Sequence, residues 1–259
     1  MKKKHEFTHK CSTEDGSSGS PILNINNKLI CLHKEGYHNK FNKGTFLNFP
    51  IKKYIQLYYK NKNELLLQKF NKKYGLVTIK DTNITELNFY NYHISNELLK
   101  ELCEIEFKQL KILNLERNHL KNIKALEKAK YEKLEILILG LNFLPDINIL
   151  EKVNFKELKE LNLERNRISD IKVLEKFKFE KLEILNLKAN QISNINILET
   201  LNFNQLKKLS FKNNQISDIK VLKKVKFEKL EKINSKDNRI NNFSIIFELR
   251  PKMQKLIYW

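Results

Sequence analysis

Apolar residues recur at one fixed interval through the second half of this chain. Six evenly spaced leucines set the interval: Leu110, Leu134, Leu158, Leu182, Leu206 and Leu230. Each one opens the same phrase, of which LKELNLERNRI (Leu158 to Ile168) is a clear copy. A repeat of this length predicts stacked units that cannot bury their apolar faces alone and therefore share one continuous core.

Further apolar columns keep the same interval, and we expect all of them to point inward. One is aromatic: Phe107, Tyr131, Phe155, Phe179, Phe203 and Phe227. Others begin at Leu120, Ile123 and Leu126 and continue through the later units. The pattern predicts a coil of one strand and one short helical return per unit, with an α/β fold built by stacking.

The phrase resembles the leucine-rich repeat, whose pattern is L-x-x-L-x-L-x-x-N-x-L. The resemblance covers residues 84–259, with a poorer first unit at Ile84 that carries Tyr92 in place of Asn, and a stub at Met253. It implies an α/β solenoid of about seven units. The Ile-rich returns are similar to the short-unit class of intracellular phosphatase regulators and bacterial internalins, which mostly bind other proteins.

The resemblance also implies a structural role for a polar column in which one asparagine recurs in each unit. Its members are Asn118, Asn142, Asn166, Asn190, Asn214 and Asn238. In the family this residue lies inside the turn and bonds backbone groups of adjacent coils, which would otherwise be buried without partners.

Residues between the inward leucines face outward by strand alternation, and the resemblance places them on the concave side of the solenoid. The early strands carry carboxylates and isoleucines, and the late strands carry lysines. We expect Ile112, Ile136, Ile138 and Ile184 to be exposed there as a contact patch. The candidate binding residues are Tyr90, Ile112, Asn114, Glu116, Ile136, Ile138, Glu160, Asn162, Glu164, Ile184, Asn186, Lys188, Lys208 and Lys212.

Three interpretations of this face compete: a protein-binding surface, a solvated face of drifted residues, and a nucleic-acid surface. The first is preferred. Glu86, Glu116, Glu160 and Glu164 argue against nucleic acid, and Tyr90 is the one aromatic ring available there for stacking on bases.

The segment 1–60 has alternating short apolar runs and is predicted to be β-rich. Its phrase Cys11-Ser-Thr-Glu-Asp-Gly-Ser-Ser-Gly-Ser-Pro resembles the nucleophile loop of trypsin-like serine proteases, especially the glutamyl-endopeptidase branch. That resemblance covers about residues 5–58 and implies Ser18 as nucleophile, with the N–H groups of Gly16 and Ser18 as the oxyanion hole. The family's base histidine and aspartate have no counterpart in this chain.

Three explanations of the protease-like segment stay open: an inactive remnant, which we prefer, a piece of a longer active protease, or a plain Ser/Gly turn. Between it and the repeats, residues 61–83 form a predicted linker or N-terminal cap. That cap has a helical stretch over residues 63–70 and a short strand over residues 76–79.

Composition changes this interpretation little. The formal charge of +19 suits a polyanion partner, but a chain rich in Lys, Asn, Ile and Phe throughout also suits a general residue bias. Three cysteines without a Cys/His cluster predict no metal site and no cofactor. Neither a membrane span nor a signal peptide is expected, so we predict a cytoplasmic, non-enzymatic protein that binds another protein. The oligomeric state is not predicted.

Overall fold

The computed structural model describes residues 6–9, 21–23, 29–37, 41–46, 48–75, 79–241, 244–245 and 256–257; for residues up to 57, and for 59, 61, 256 and 257, only the backbone is described. The chain divides into two compact units, Met1–Leu65 and Leu66–Trp259.

The first unit contains an antiparallel sheet of four strands in the order β1-β4-β3-β2. The strands are β1 (Glu6–His9), β2 (Pro21–Leu23), β3 (Leu29–Tyr37) and β4 (Phe41–Phe46). These strands agree with the predicted β-rich character only as far as residue 46, because a helix begins two residues later.

That helix, α1 (Asn48–Tyr74), is far longer than the helical stretch predicted over residues 63–70. It contains no glycine, and its one proline, Pro50, lies in the first turn, where a missing N–H costs nothing. Gly75 ends it with a left-handed φ of +59° while its N–H still donates to the carbonyl of Asn71 at 3.0 Å.

The predicted strand over residues 76–79 lies mostly outside the described residues, and Ile79 is not part of a strand. Its backbone bonds instead to the carboxamide of Asn71, which accepts from the Ile79 N–H at 3.2 Å and donates to the Ile79 carbonyl at 2.8 Å. Leu67, Phe70 and Ile79 are buried in the core of the second unit.

The second unit is a parallel sheet in which consecutive strands of the chain are neighbours, so each coil stacks on the one before. Its strands are β5 (Glu86–Asn88), β6 (Ile112–Asn114), β7 (Ile136–Ile138), β8 (Glu160–Asn162), β9 (Ile184–Asn186), β10 (Lys208–Ser210), β11 (Lys232–Asn234) and β12 (Leu256–Ile257). Seven strands come from the predicted repeats, and β12 falls in the predicted stub. The leucine-rich-repeat solenoid of about seven units is therefore confirmed.

The return segments are short helices. In the first coil the return is α2 (Asn96–Glu104), capped by Ser95, whose Oγ accepts from the Leu98 N–H at 3.1 Å. The two extra residues of this coil provide the length for a true α-helix. Later coils use single 3₁₀ turns: Lys124–Lys128, Asn148–Glu151, Lys172–Lys176, Asn196–Glu199 and Lys220–Lys223.

The described members of the inward columns form one core, as predicted, with Leu230 and Ile240 of the last coil only partly buried against it. Phe243 and Ile246, the last members of two columns, lie outside the described residues.

The aromatic column is buried throughout, from Phe107, which is fully buried, to Phe227, which is 9% exposed. Tyr131 and Phe155 stack nearly parallel with ring centroids 6.4 Å apart. The Tyr131 hydroxyl donates to the Leu102 carbonyl at 2.9 Å, so this buried polar group has a partner.

The asparagine column is confirmed as a ladder between coils. Asn142 accepts from the N–H groups of Asn118 at 3.1 Å and Leu120 at 2.9 Å in the preceding coil. Its Nδ2 donates at 3.0 Å to the carbonyls of Leu115 in that coil and of Leu139 and Gly140 in its own coil. One carboxamide thus pairs five backbone groups that the turn leaves without strand partners.

Two kinds of coil alternate, so the charge pattern repeats only at every second coil. One outer column reads Lys111, Glu135, Lys159, Glu183, Lys207 and Glu231. Glu135 bridges the lysines on both sides, with Nζ–Oε distances of 2.6 Å to Lys159 and 3.2 Å to Lys111. These hydrogen bonds hold the pKa of the Glu135 carboxyl below its usual value.

Other outer columns follow the same rule, with lysine in alternate coils and Asn, Glu or Gln between. Examples are Lys124, Asn148, Lys172, Asn196 and Lys220, and Lys133, Glu157, Lys181, Gln205 and Lys229. In these columns the alternation keeps like charges about two coil spacings, or roughly 10 Å, apart.

Candidate functional site

The outward side chains of β5–β11, together with the residue two positions beyond each of these strands, form one surface that we call the sheet face. It has three columns. The first is Glu86, Ile112, Ile136, Glu160, Ile184, Lys208 and Lys232; the second is Asn88, Asn114, Ile138, Asn162, Asn186, Ser210 and Asn234; the third is Tyr90, Glu116, Gly140, Glu164, Lys188, Lys212 and Lys236. Strand register places the members of the first two columns side by side. The sequence-predicted binding residues therefore lie on one surface.

The isoleucines of this face are half-buried, and the expectation that they are exposed is wrong. Ile112 and Ile136 are direct cross-strand partners, and Ile138 lies two residues along the same strand as Ile136. Neighbouring coils about 4.8 Å apart cover much of each side chain, which a single strand cannot show. Ile184 is separated from Ile136 by Glu160.

These isoleucines are also distinct from the core. Other partly buried apolar residues, such as Ile149 and Ile197, pack against the core from the 3₁₀ side. Ile112, Ile136 and Ile138 lie on the opposite side of the strands, where the alternate residues are the buried leucines. They form an apolar spot that the core does not require.

Gly140 leaves the middle of this spot without a side chain. A Cβ at this position would come within 3.3 Å of the Glu116 Oε1 atom and 3.3 Å of the Glu164 backbone oxygen. The carboxylate of Glu116 therefore leans over the glycine of the next coil. The surface around Ile138 is therefore apolar and does not project far from the strands, and the coils on both sides contribute carboxylates to its edge.

The asparagines of the second column are partly engaged by their own backbone. The Oδ1 atoms of Asn114 and Asn162 accept from the N–H groups two residues ahead, each at 2.9 Å. Asn186 does the same at 3.1 Å and also donates to the Glu164 Oε2 atom at 3.2 Å. These side chains therefore stabilise the strand ends through their Oδ1 atoms. Their predicted role in binding a partner depends on their Nδ2 groups.

Charge changes sign along the face. Lys188 pairs with Glu164 at 2.7 Å, which is the junction between the acidic and the basic halves. Beyond it, Lys212 contacts Asp237 at 3.4 Å. Lys208, Lys232 and Lys236 form no ion pair with any carboxylate of the described residues. We call Lys188, Lys208, Lys212, Lys232 and Lys236 the lysine end of the sheet face.

A row of stacked side chains lies beside the sheet face, in the turns after the strands, and sequence reasoning missed it. The ring centroids of His93 and His119 are 5.7 Å apart, and those of His119 and Phe143 are 5.2 Å apart. The Arg167 guanidinium carbon lies 4.6 Å from the Phe143 ring centroid. Reading the column after the ladder asparagine, instead of the motif, would have shown this row.

Predicted catalytic residues are not placed by the structure, since Ser18 and Gly16 lie outside the described residues. Cys103 is buried in the core, and burial raises the pKa of its thiol to about 12, which keeps it protonated and unreactive at neutral pH. Across the described parts of the chain, no group of three His, Cys, Asp or Glu side chains is arranged to hold a metal ion. None of the described helices combines the length and the apolarity needed to cross a bilayer.

Solved structures with a similar fold are leucine-rich-repeat proteins. Internalin C2 of Listeria monocytogenes matches at 21% identity and a TM-score of 0.51, over 75% of this chain and 92% of its own. A leucine-rich-repeat protein of Leptospira interrogans matches at 24% identity and a TM-score of 0.52, over 67% of this chain and 42% of its own. At these identities the likeness shows the fold alone. No protein-family model matches the chain, and no significant match was found among curated proteins.

Proposed function

We propose that this chain is a protein-interaction scaffold that binds another protein on the sheet face and performs no chemistry of its own. One observation carries the proposal: the half-buried isoleucines Ile112, Ile136 and Ile138 form an apolar spot on the side of the strands that faces away from the core. Apolar side chains placed together where packing does not need them are typical of a contact surface.

The surroundings of the spot support the same proposal. Glu116, Glu160 and Glu164 surround it with carboxylates, and Gly140 lets the Glu116 carboxylate lie over the neighbouring coil beside the spot. An apolar centre with a polar rim is the usual arrangement of a protein interface. In the leucine-rich-repeat resemblance this face is the concave one, which is where the proposal places the partner.

The proposal is tested by giving the spot the residues that the same positions carry in the next coil, as in Ile136→Glu with Ile138→Asn. Glu160 and Asn162 already occupy those positions in β8, so both side chains suit the strand, but the new carboxylate lies beside Glu160. The melting temperature of the variant is therefore measured first, to establish that it folds. We expect the affinity for the protein partner to fall at least about tenfold, through the loss of apolar burial. The partner is first recovered on the immobilised chain, identified by mass spectrometry, purified and then titrated by calorimetry.

A matched control is Lys172→Asn on the outer surface, which also lowers the net charge by one and also installs a residue of the neighbouring coil, Asn148. Its affinity is expected to stay within about twofold, corresponding to roughly 0.4 kcal/mol. Equal affinity of the wild type and the sheet-face variant, or an equal loss in the control, would remove the sheet face from the interaction.

A fragment of a serine-type endopeptidase is the alternative function, and it stays a prediction. The protease-like phrase around Ser18 and the four antiparallel strands of the first unit are what favour it. Without a base histidine the serine is a weak nucleophile, so we expect no labelling by a fluorophosphonate probe. The measurement compares the wild type, Ser18→Ala and the neighbouring Ser17→Ala; label that disappears only in Ser18→Ala would make this segment an active serine site.

A further inference from the structure

The lysine end of the sheet face is an exception to the charge pattern of the whole array. In the outer columns, lysines in neighbouring coils are separated by Glu, Gln or Asn. Where an outer column does run Lys128, Lys152 and Lys176, glutamates of the preceding coil offset it, with Lys152 4.0 Å from Glu127 and Lys176 3.3 Å from Glu151. The lysine run therefore lies beside a run of glutamates, Glu127, Glu151 and Glu175, and the two runs offset one another.

On the sheet face the same rule fails in two columns, the first and the third, which lie on either side of the second column. Lys208 and Lys232 are direct cross-strand partners, so their Cα atoms lie about 5 Å apart. In the third column Lys188, Lys212 and Lys236 occupy three consecutive coils. The only carboxylates that pair with these five lysines in the described structure are Glu164 at one end and Asp237 beside Lys212.

Like charges side by side on neighbouring strands destabilise a sheet. A protein that separates lysines elsewhere but collects them on one face accepts a local cost in stability, and such costs are typical of functional sites. The arrangement is relieved when an anionic group binds between the columns, because Lys208, Lys232 and Lys236 then have an ionic partner that the described residues do not supply.

We infer that the lysine end binds an acidic segment of the protein partner, with its Asp or Glu side chains between the columns of Lys208–Lys232 and Lys212–Lys236. This inference rests on the proposed function, since it names the partner's chemistry at one end of the same face. An extended segment lying across the strands places alternate side chains about 6.6 Å apart, within reach of flexible lysines in successive coils.

The same face disfavours a nucleic acid. A phosphate backbone that continued from the lysine end would meet Glu164, Glu160 and Glu116 on the next coils. Tyr90, which is 43% exposed, lies at the far acidic end, so no described ring of the face is near the lysines to stack on bases. The arginines of the described residues also belong to none of the three columns: Arg117, Arg165, Arg167 and Arg239.

Charge reversal along the face also fixes the direction in which a segment binds. A segment with apolar or basic residues over Ile136 and Glu160, followed by acidic residues over Lys208 and Lys232, meets complementary groups along its whole length. Binding in the opposite direction would place its acidic residues against Glu116 and Glu160. Electrostatic complementarity of this kind determines orientation and association rate more than affinity.

The test titrates the full chain with three fluorescein-labelled probes: a peptide rich in Asp and Glu, its Asn and Gln counterpart, and a single-stranded DNA of equal charge. The variant is Lys208→Gln with Lys232→Gln and Lys236→Gln. Its matched control is Lys124→Gln with Lys172→Gln and Lys220→Gln, three exposed lysines of one outer column in alternate coils. Both variants lower the formal charge from +19 by three.

We expect the acidic peptide to bind at least about tenfold more tightly than its neutral counterpart, and the sheet-face variant to lose that difference while the outer control keeps it. Equal losses in the two variants would reduce the effect to net charge and overturn the inference. Equal affinity of the wild type for the acidic and the neutral peptide would also overturn the inference. Tighter binding of the DNA than of the acidic peptide, through the same lysines, would do the same.

Thermal unfolding gives a second measurement that needs no probe. Because the three substitutions remove repulsion between neighbouring strands, the sheet-face variant is expected to melt at a higher temperature than the wild type at low salt, and the difference is expected to shrink at high salt. The outer control is expected to melt with the wild type. An unchanged or lower melting temperature for the sheet-face variant would contradict the uncompensated repulsion on which the inference depends.

The outcome is separable from that of the proposed function. Loss of partner binding in Ile136→Glu with Ile138→Asn, combined with no preference for the acidic peptide, would keep the sheet face as the interaction surface and overturn only the acidic segment. If Ile136→Glu with Ile138→Asn kept partner binding while the wild type preferred the acidic peptide, the lysine end would remain an anion-binding site. The apolar spot would then not be part of the interface.

Discussion

Replacing Asn142 by leucine is expected to destabilise the solenoid by about 3–5 kcal/mol. Asn142 is 2% exposed, and its carboxamide pairs two N–H groups and three carbonyls. Leucine has the same number of side-chain heavy atoms, branched at the same carbon, but no polar atom, so those backbone groups would stay buried without partners. Urea unfolding followed by circular dichroism measures the loss, and amide exchange at Leu120 reports it locally.

Asn154→Leu is the control for the same change in chemistry. Asn154 is exposed and lies in an outer column, so its replacement is expected to alter the free energy of unfolding by no more than about 0.5 kcal/mol. A loss below about 1 kcal/mol for Asn142→Leu would mean that water or a relaxed turn satisfies the ladder, and the ladder would then not be what holds the turns.

Phe155→Ala is expected to cost about 3–5 kcal/mol, because it leaves a cavity in a column that is packed on both sides. Phe155 is 1% exposed and stacks at 6.4 Å on Tyr131 of the preceding coil. The cavity separates two stacked coils, and the stability of a repeat array depends on such nearest-neighbour contacts. The free energy of unfolding from urea titration is again the measurement.

Phe143 provides the comparison within the same coil. It is 37% exposed and contacts His119 and Arg167 on the surface. Phe143→Ala is therefore expected to cost about 1 kcal/mol or less. Similar losses for the two phenylalanines would contradict the division between a buried aromatic column and a surface row.

The solenoid could be predicted from the sequence because its core has a strict period. A leucine that returns at the same place in every unit has similar surroundings in every coil, so one interpretation of Leu158 applies to its equivalents. The structure confirms it from Leu110 to Leu206, while Leu230 in the last of these coils is only partly buried. The asparagine ladder follows in the same way, because a buried polar residue at a fixed position needs a fixed set of partners.

What the motif of a single repeat does not show depends on contacts between coils. The half-buried state of Ile136 arises from the strands on both sides, and the stack of His119, Phe143 and Arg167 joins one residue from each of three coils. Neither is visible within one repeat. The length of α1 was missed for another reason. The segment 1–60 was predicted to be β-rich as a whole, although no glycine interrupts the chain from Asn48 to Tyr74.

The alternation of two kinds of coil sets the smallest step by which this array can change its length. Excising residues 134–157 would put Lys111 against Lys159, whereas excising residues 134–181 would join Lys111 to Glu183 and keep the opposite charges adjacent. An engineer who shortens or extends the molecule would therefore do best to add or remove coils in pairs, treating each such pair as the interchangeable module.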